Sequence, residues 1–160
     1  MKKFKIFLWI FLLALLQASL VKYIAFRGIV PVLLFVFAIC MAMNEKDWRT
    51  KIVIAAICGA VMDIFSSRGF GMYMVLYTGA AMLASGLTET IYRKNFLMEL
   101  PLLFILSIIT ETVYYALNYQ ALGGTILQAF GGVIIPAACY NAVMLLWMYP
   151  CMRNLWKVRR

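Results

Sequence analysis

Residues 46 to 71 read KDWRTKIVIAAICGAVMDIFSSRGFG. Lys46, Arg49 and Lys51 crowd one end of an apolar run that extends from Trp48 to Phe65, and one acid, Asp63, interrupts its far end. Ser66-Ser67-Arg68-Gly69-Phe70-Gly71 then turns the chain with a single basic residue. A run of this length, bounded by charge and broken by a glycine turn, is the pattern of a helix that crosses hydrocarbon with its more basic end retained in the cytoplasm.

Five further apolar segments repeat the pattern on either side. The predicted spans are Phe4 to Val21, Ile29 to Met43, Trp48 to Phe65, Met72 to Leu87, Leu100 to Leu117 and Ile126 to Met148. Lys2, Lys3, Lys5, Lys46, Arg49, Lys51, Arg93, Lys94, Arg153, Lys157, Arg159 and Arg160 fall on one side of this layer, and only Lys22, Arg27 and Arg68 on the other. That asymmetry predicts an all-α integral membrane protein of the bacterial inner membrane, a compact bundle of six transmembrane helices with both termini cytoplasmic. Residues 1–160 form one domain on this reading. Several spans fall short of the ~20 residues that cross ~30 Å of hydrocarbon. Flanking aromatics (Trp48, Tyr73, Tyr92, Trp147, Tyr149 and Trp156) are read as interface anchors that complete the crossing. Met1 to Val21 resembles a signal peptide, but the five spans behind it make it an uncleaved first helix.

Composition agrees. Hydrophobic residues make up 66% of the chain and charged residues 13%, too much apolar surface for a small soluble domain to bury. A net charge of +9 raises nucleic acid as a partner, yet the basic residues punctuate apolar spans instead of gathering on a polar face, so no nucleic-acid role is expected. Histidine is absent, and no acidic or cysteine cluster has metal-ligand spacing, so neither metal nor cofactor is expected. Cys40, Cys58, Cys139 and Cys151 lie in spans or at the cytoplasmic end and are expected as free thiols. No nucleophile elbow, P-loop or dinucleotide fingerprint appears, and the short connections leave no soluble catalytic module; no enzyme is expected.

Two acids inside spans draw attention instead. Asp63 and Glu111 each lie 11 residues beyond the cytoplasmic entry of an outward-running span, about 16 Å in. An ionisable group at that depth faces the bundle interior or a wet cavity. Either each acid pairs with a basic residue such as Arg68, Arg27 or Lys22 and fastens the bundle, or the pair belongs to a ligand, ion or partner site. Small residues supply packing faces: Ala56, Gly59 and Ala60 around Asp63; Gly79, Ala80 and Ala84 on the next span; and Ala14 with Ala18 on the first. Gly69 and Gly71 suit positive φ in the turn. Pro31 near the start of the second span and Pro136 inside the sixth break the hydrogen-bond ladder, the latter predicting a kink or opening at Gly131-Gly132. Tyr140 and Asn141 follow one turn later, within the layer.

Leu15-Leu16-Gln17, Val30-Pro31-Val32-Leu33-Leu34, Cys58-Gly59-Ala60-Val61-Met62-Asp63-Ile64-Phe65, Gly71, Leu76-Tyr77, Gly79, Leu100-Pro101, Glu111 with Tyr114, and Ile135-Pro136 with Tyr140-Asn141 occur in an order and spacing that resemble the rod-shape-determining MreD family. The family often carries polar residues where this chain has Val32 and Ala137. The resemblance implies a non-enzymatic scaffold of the cell-elongation, peptidoglycan-synthesising complex. Its partners would be the lipid bilayer, an MreC-like single-span periplasmic protein and, through it, RodA with its transpeptidase and the filament protein MreB. A second resemblance, to the S components of energy-coupling-factor vitamin transporters, rests on fold, size and Ala14-Leu15-Leu16-Gln17-Ala18. It would place Asp63 and Glu111 at a vitamin or metal cavity.

Overall fold

Pro31 decides where the second helix starts. Its ring and missing N–H keep residues 30–32 out of a helix, so α2 spans only Leu33–Asn44, four residues later than the apolar run suggests. The computed structural model describes residues 2–19, 23, 29–66, 71–91, 96–118 and 126–156. Besides α2, these form α1 (Lys2–Ser19), α3 (Trp48–Phe65), α4 (Met72–Ile91) and α5 (Phe96–Leu117). The sixth element, α6, begins as one α-helical turn, Ile126–Ala129, passes through a π-helical segment, Phe130–Ile134, and continues over Ile135–Trp156. All six predicted spans therefore appear as helices.

At 12 residues and 1.5 Å per residue, α2 is about 18 Å long. It packs against α1, α3, α4, α5 and α6, and every residue from Leu33 to Met43 is buried. The other helices surround it. On α1 the buried face is Ile6, Ile10 and Leu13, a three- and four-residue spacing. Ala18 lies on the exposed side and Ala14 is half-buried, so that small-residue pair is not the packing face the sequence suggested. Large apolar side chains cover the outside, among them Phe4, Phe11, Val75, Leu83, Ile105 and Val143. By length and composition α5 (from Glu99 to Leu117) and α6 (from Leu127 to Met152) are each able to cross a membrane.

The π segment explains how α6 tolerates Pro136. Proline lacks an N–H and its ring collides with the carbonyl four residues back. One wide turn relieves both, with the Ile135 N–H reaching back to the Phe130 carbonyl. The expected distortion at Gly131-Gly132 is thus a π turn. Neither glycine meets any other atom within 4 Å of an added Cβ, so they grant backbone freedom and not close packing.

Candidate functional site

A helix that starts inside an apolar layer exposes N–H groups that no water can satisfy. Helices α2 and α4 have no capping side chain of their own at the start, and remote side chains supply the acceptors.

The first is α2. Its N-cap residue is Val32, which has no side-chain acceptor. Gln17, near the end of α1, takes over: its Oε1 accepts the Leu33 N–H at 2.9 Å while its Nε2 donates to the Pro31 carbonyl at 3.1 Å. From α6, Asn141 Oδ1 accepts the Val32 N–H at 2.9 Å, and its Nδ2 donates to Ser107 Oγ on α5 at 2.8 Å. Asn141 and Ser107 are both buried to 1% exposure. Three surrounding helices are thereby tied to the start of the central one.

The second is α4. Gly71 precedes it with φ +99° and has no side chain with which to cap. Asp63, from the last turn of α3, performs that role: Oδ1 accepts the Tyr73 N–H at 2.9 Å and Oδ2 the Met74 N–H at 3.1 Å. These are the donors an aspartate at the N-cap itself would take. Gly59, one turn earlier on the same face, makes the approach possible. A Cβ there would lie 2.5 Å from Met74 Cα and 2.5 Å from the Tyr73 carbonyl oxygen. Gly59 and Asp63 thus act as one device, with the glycine admitting the α4 backbone and the carboxylate binding it. The described partners of Asp63 are backbone N–H groups and not the basic side chain the sequence suggested; Arg68, Arg27 and Lys22 lie outside the described residues.

Aromatic rings join the two devices. Tyr77 is fully buried and meets Phe35 of α2 edge-on at 5.1 Å and Tyr73 at 5.7 Å. Tyr73 stacks on Tyr114 of α5 at 4.8 Å, so it belongs to the bundle and is not the interface anchor expected. Asn118, at the end of α5, donates to Met72 Sδ at 3.2 Å. Glu111 is half-buried on the same side, within electrostatic range of Tyr73 and Tyr77.

Of the residues singled out from sequence, Gln17, Pro31 and Asn141 converge on the start of α2. Gly59, Asp63, Gly71, Tyr77, Glu111 and Tyr114 gather around the start of α4. Pro136 sits just beyond the π turn, and Tyr140 is half-buried beside Asn141. Gly79 departs from expectation. It is exposed with nothing within 4 Å of an added Cβ, while its neighbours Ala80 and Ala84 are buried.

A third polar cluster, at the opposite end of α2, was not anticipated. Glu99 is 1% exposed; its Oε1 accepts from Asn44 Nδ2 at 3.1 Å and its Oε2 lies 3.8 Å from the Cys40 thiol. Glu45 is also buried, as is Lys51, whose Nζ donates to Ser85 Oγ at 2.6 Å. From sequence, Lys51 counts among the basic residues of the cytoplasmic side, and Glu45 and Glu99 carry no motif. The one sequence signal for Lys51 is its place inside the third apolar run.

Chemically, these arrangements fasten helices. Cys40, Cys58, Cys139 and Cys151 are unpaired, and among the described residues no group of three or more histidine, cysteine or acidic side chains converges to hold a metal. A family model described as rod shape-determining protein MreD matches residues 1–159. No curated protein and no solved structure matches the chain.

Proposed function

The chain belongs to the MreD family of rod shape-determining proteins, and on that premise we propose that it is a non-enzymatic membrane scaffold of the bacterial cell-elongation complex. Membership implies a role in rod-shape determination, and the family is not one of enzymes. The finer reading is a six-span bundle in the inner membrane with both termini cytoplasmic. It presents a partner surface to an MreC-like single-span protein and acts through it on RodA, its transpeptidase and MreB. The apolar exterior of the helices around α2 supports immersion in lipid, where such a surface needs no cover.

One observation carries the scaffold reading over transport. Both oxygens of Asp63 and both polar atoms of Gln17 are bound to the backbone at helix starts. These polar side chains are committed to holding helices at fixed positions, as a rigid docking body requires. The transporter reading would need Asp63 turned toward a ligand, and both of its oxygens are taken by the α4 backbone. Affinity purification in mild detergent from the native membrane tests this. A single-span coiled-coil partner should co-purify stoichiometrically, and recovery with an ATPase transport module instead would refute the assignment.

A further inference from the structure

Between the N-terminal halves of α1 and α3 lies a groove of about 450 Å³. Its floor is Ile6, Ile10 and Ile54, all buried, and its walls are the exposed side chains Phe7, Val53 and Ile57. Asp47, Arg49 and Thr50 form the end nearest the start of α3. The groove is therefore divided into an apolar trough and a polar mouth. The two helices run in parallel on the six-span reading, so the mouth lies at the cytoplasmic surface.

The basic residue in the lining is Arg49, exposed at the rim of that mouth, and Lys46, next in sequence to Asp47, is exposed as well. The acid in the lining, Asp47, is turned to its own helix: it accepts the Arg49 N–H at 3.3 Å and the Thr50 hydroxyl, while Glu45, two residues earlier, accepts the Lys46 N–H at 3.1 Å. The Thr50 hydrogen bond, aided by the Arg49 charge, holds its carboxyl below the usual range. Asp47 is thus engaged as a helix cap, which leaves the Arg49 guanidinium as the lining group able to attract an anion.

We propose that this groove binds an anionic phospholipid, one acyl chain lying along Ile6, Ile10, Val53, Ile54 and Ile57 and the phosphate held at Arg49. A protein helix would fill the trough but would gain nothing from a cationic mouth at headgroup level. A phospholipid matches both halves at once, since basic residues at the cytoplasmic edge of a membrane helix attract anionic headgroups. The site goes beyond scaffolding and would stand if the partner assignment failed, because it rests on membrane immersion and the six-span orientation and not on a partner.

Native mass spectrometry of the full chain, released from mild detergent after equilibration with phosphatidylglycerol or phosphatidylcholine of identical acyl chains, tests it. Phosphatidylglycerol adducts should dominate. Arg49→Gln should lower their occupancy about fivefold and narrow the preference over phosphatidylcholine, whose choline cation already offsets its phosphate, and raised salt should act in the same direction. Val53→Trp, which fills the trough, should reduce both lipids. Equal occupancy by the two lipids would overturn the proposal, as would an Arg49→Gln variant that binds like the parent. A photo-crosslinker at position 53 should label lipid in membranes; labelling of a protein segment would also overturn it.

Discussion

Replacing Asp63 by alanine removes the acceptor for two N–H groups at once, and its effect can be worked from the geometry. Asp63 is 3% exposed and binds Tyr73 and Met74 at 2.9 and 3.1 Å. Hydrogen bonds to a charged acceptor contribute ~1.5–3 kcal/mol each in proteins, an upper limit of ~3–6 for the pair. An ordinary N-cap deletion costs ~0.5–2 kcal/mol where water replaces the lost acceptor. Interhelical side-chain bonds in membranes average only ~0.6 kcal/mol, because the unfolded reference also finds partners. Two orphaned backbone donors beside a close-packed glycine place this case between those limits. We predict a loss of about 2–3 kcal/mol, at least thirtyfold in the folded-to-unfolded ratio. Asp63→Asn, retaining one acceptor oxygen, should lose about half. The measurement is membrane abundance together with thermal melting in detergent. Because the partners are backbone groups, neutralising Arg68 in the same chain should rescue nothing. Wild-type melting of Asp63→Ala, or recovery in a double variant with Arg68→Gln, would refute the capping argument and restore an ion pair.

Four other substitutions and one fusion probe separate parts of the account. Gly59→Ala should lower abundance sharply, since its Cβ would meet Met74 Cα at 2.5 Å, whereas Gly79→Ala, in open space, should leave abundance unchanged; the two are compared by fluorescence of a fused reporter. Gln17→Leu and Asn141→Leu each strand a buried N–H at the start of α2 and should each destabilise by ~1–3 kcal/mol in detergent melting; a neutral result for both would show that α2 starts within reach of water. Alkaline phosphatase fused after Arg160 should be inactive, because twelve of the fifteen basic residues lie on the side predicted to be cytoplasmic. High activity would invert the six-span reading.

Helix positions were legible because apolar runs separated by charge leave few alternatives, and α3 has the predicted bounds Trp48 and Phe65. The later start of α2 was less legible: Pro31 marked it, but the acceptors that hold Val32 and Leu33 come from residues 17 and 141, a juxtaposition that spacing does not reveal. Asp63 stood out as an acid within a span, and the close approach enabled by Gly59 was read correctly as packing. Its backbone partners were hidden because a glycine turn suggests a loop and not a helix start in need of a cap. The burial of Glu99 was not legible because a charge near a span end normally reaches water; only the shortness of α2 and the start of α5 at Phe96, four residues before its predicted entry, bring Glu99 against Asn44.

Depletion of this protein in its bacterial host, followed by microscopy and fluorescent labelling of new wall, tests the central claim most directly. The account predicts that side-wall incorporation loses its pattern and rods become spheres, with wild-type protein restoring both and Gly59→Ala failing to do so. Cells that keep their rod shape and wall pattern after the protein is gone would contradict it.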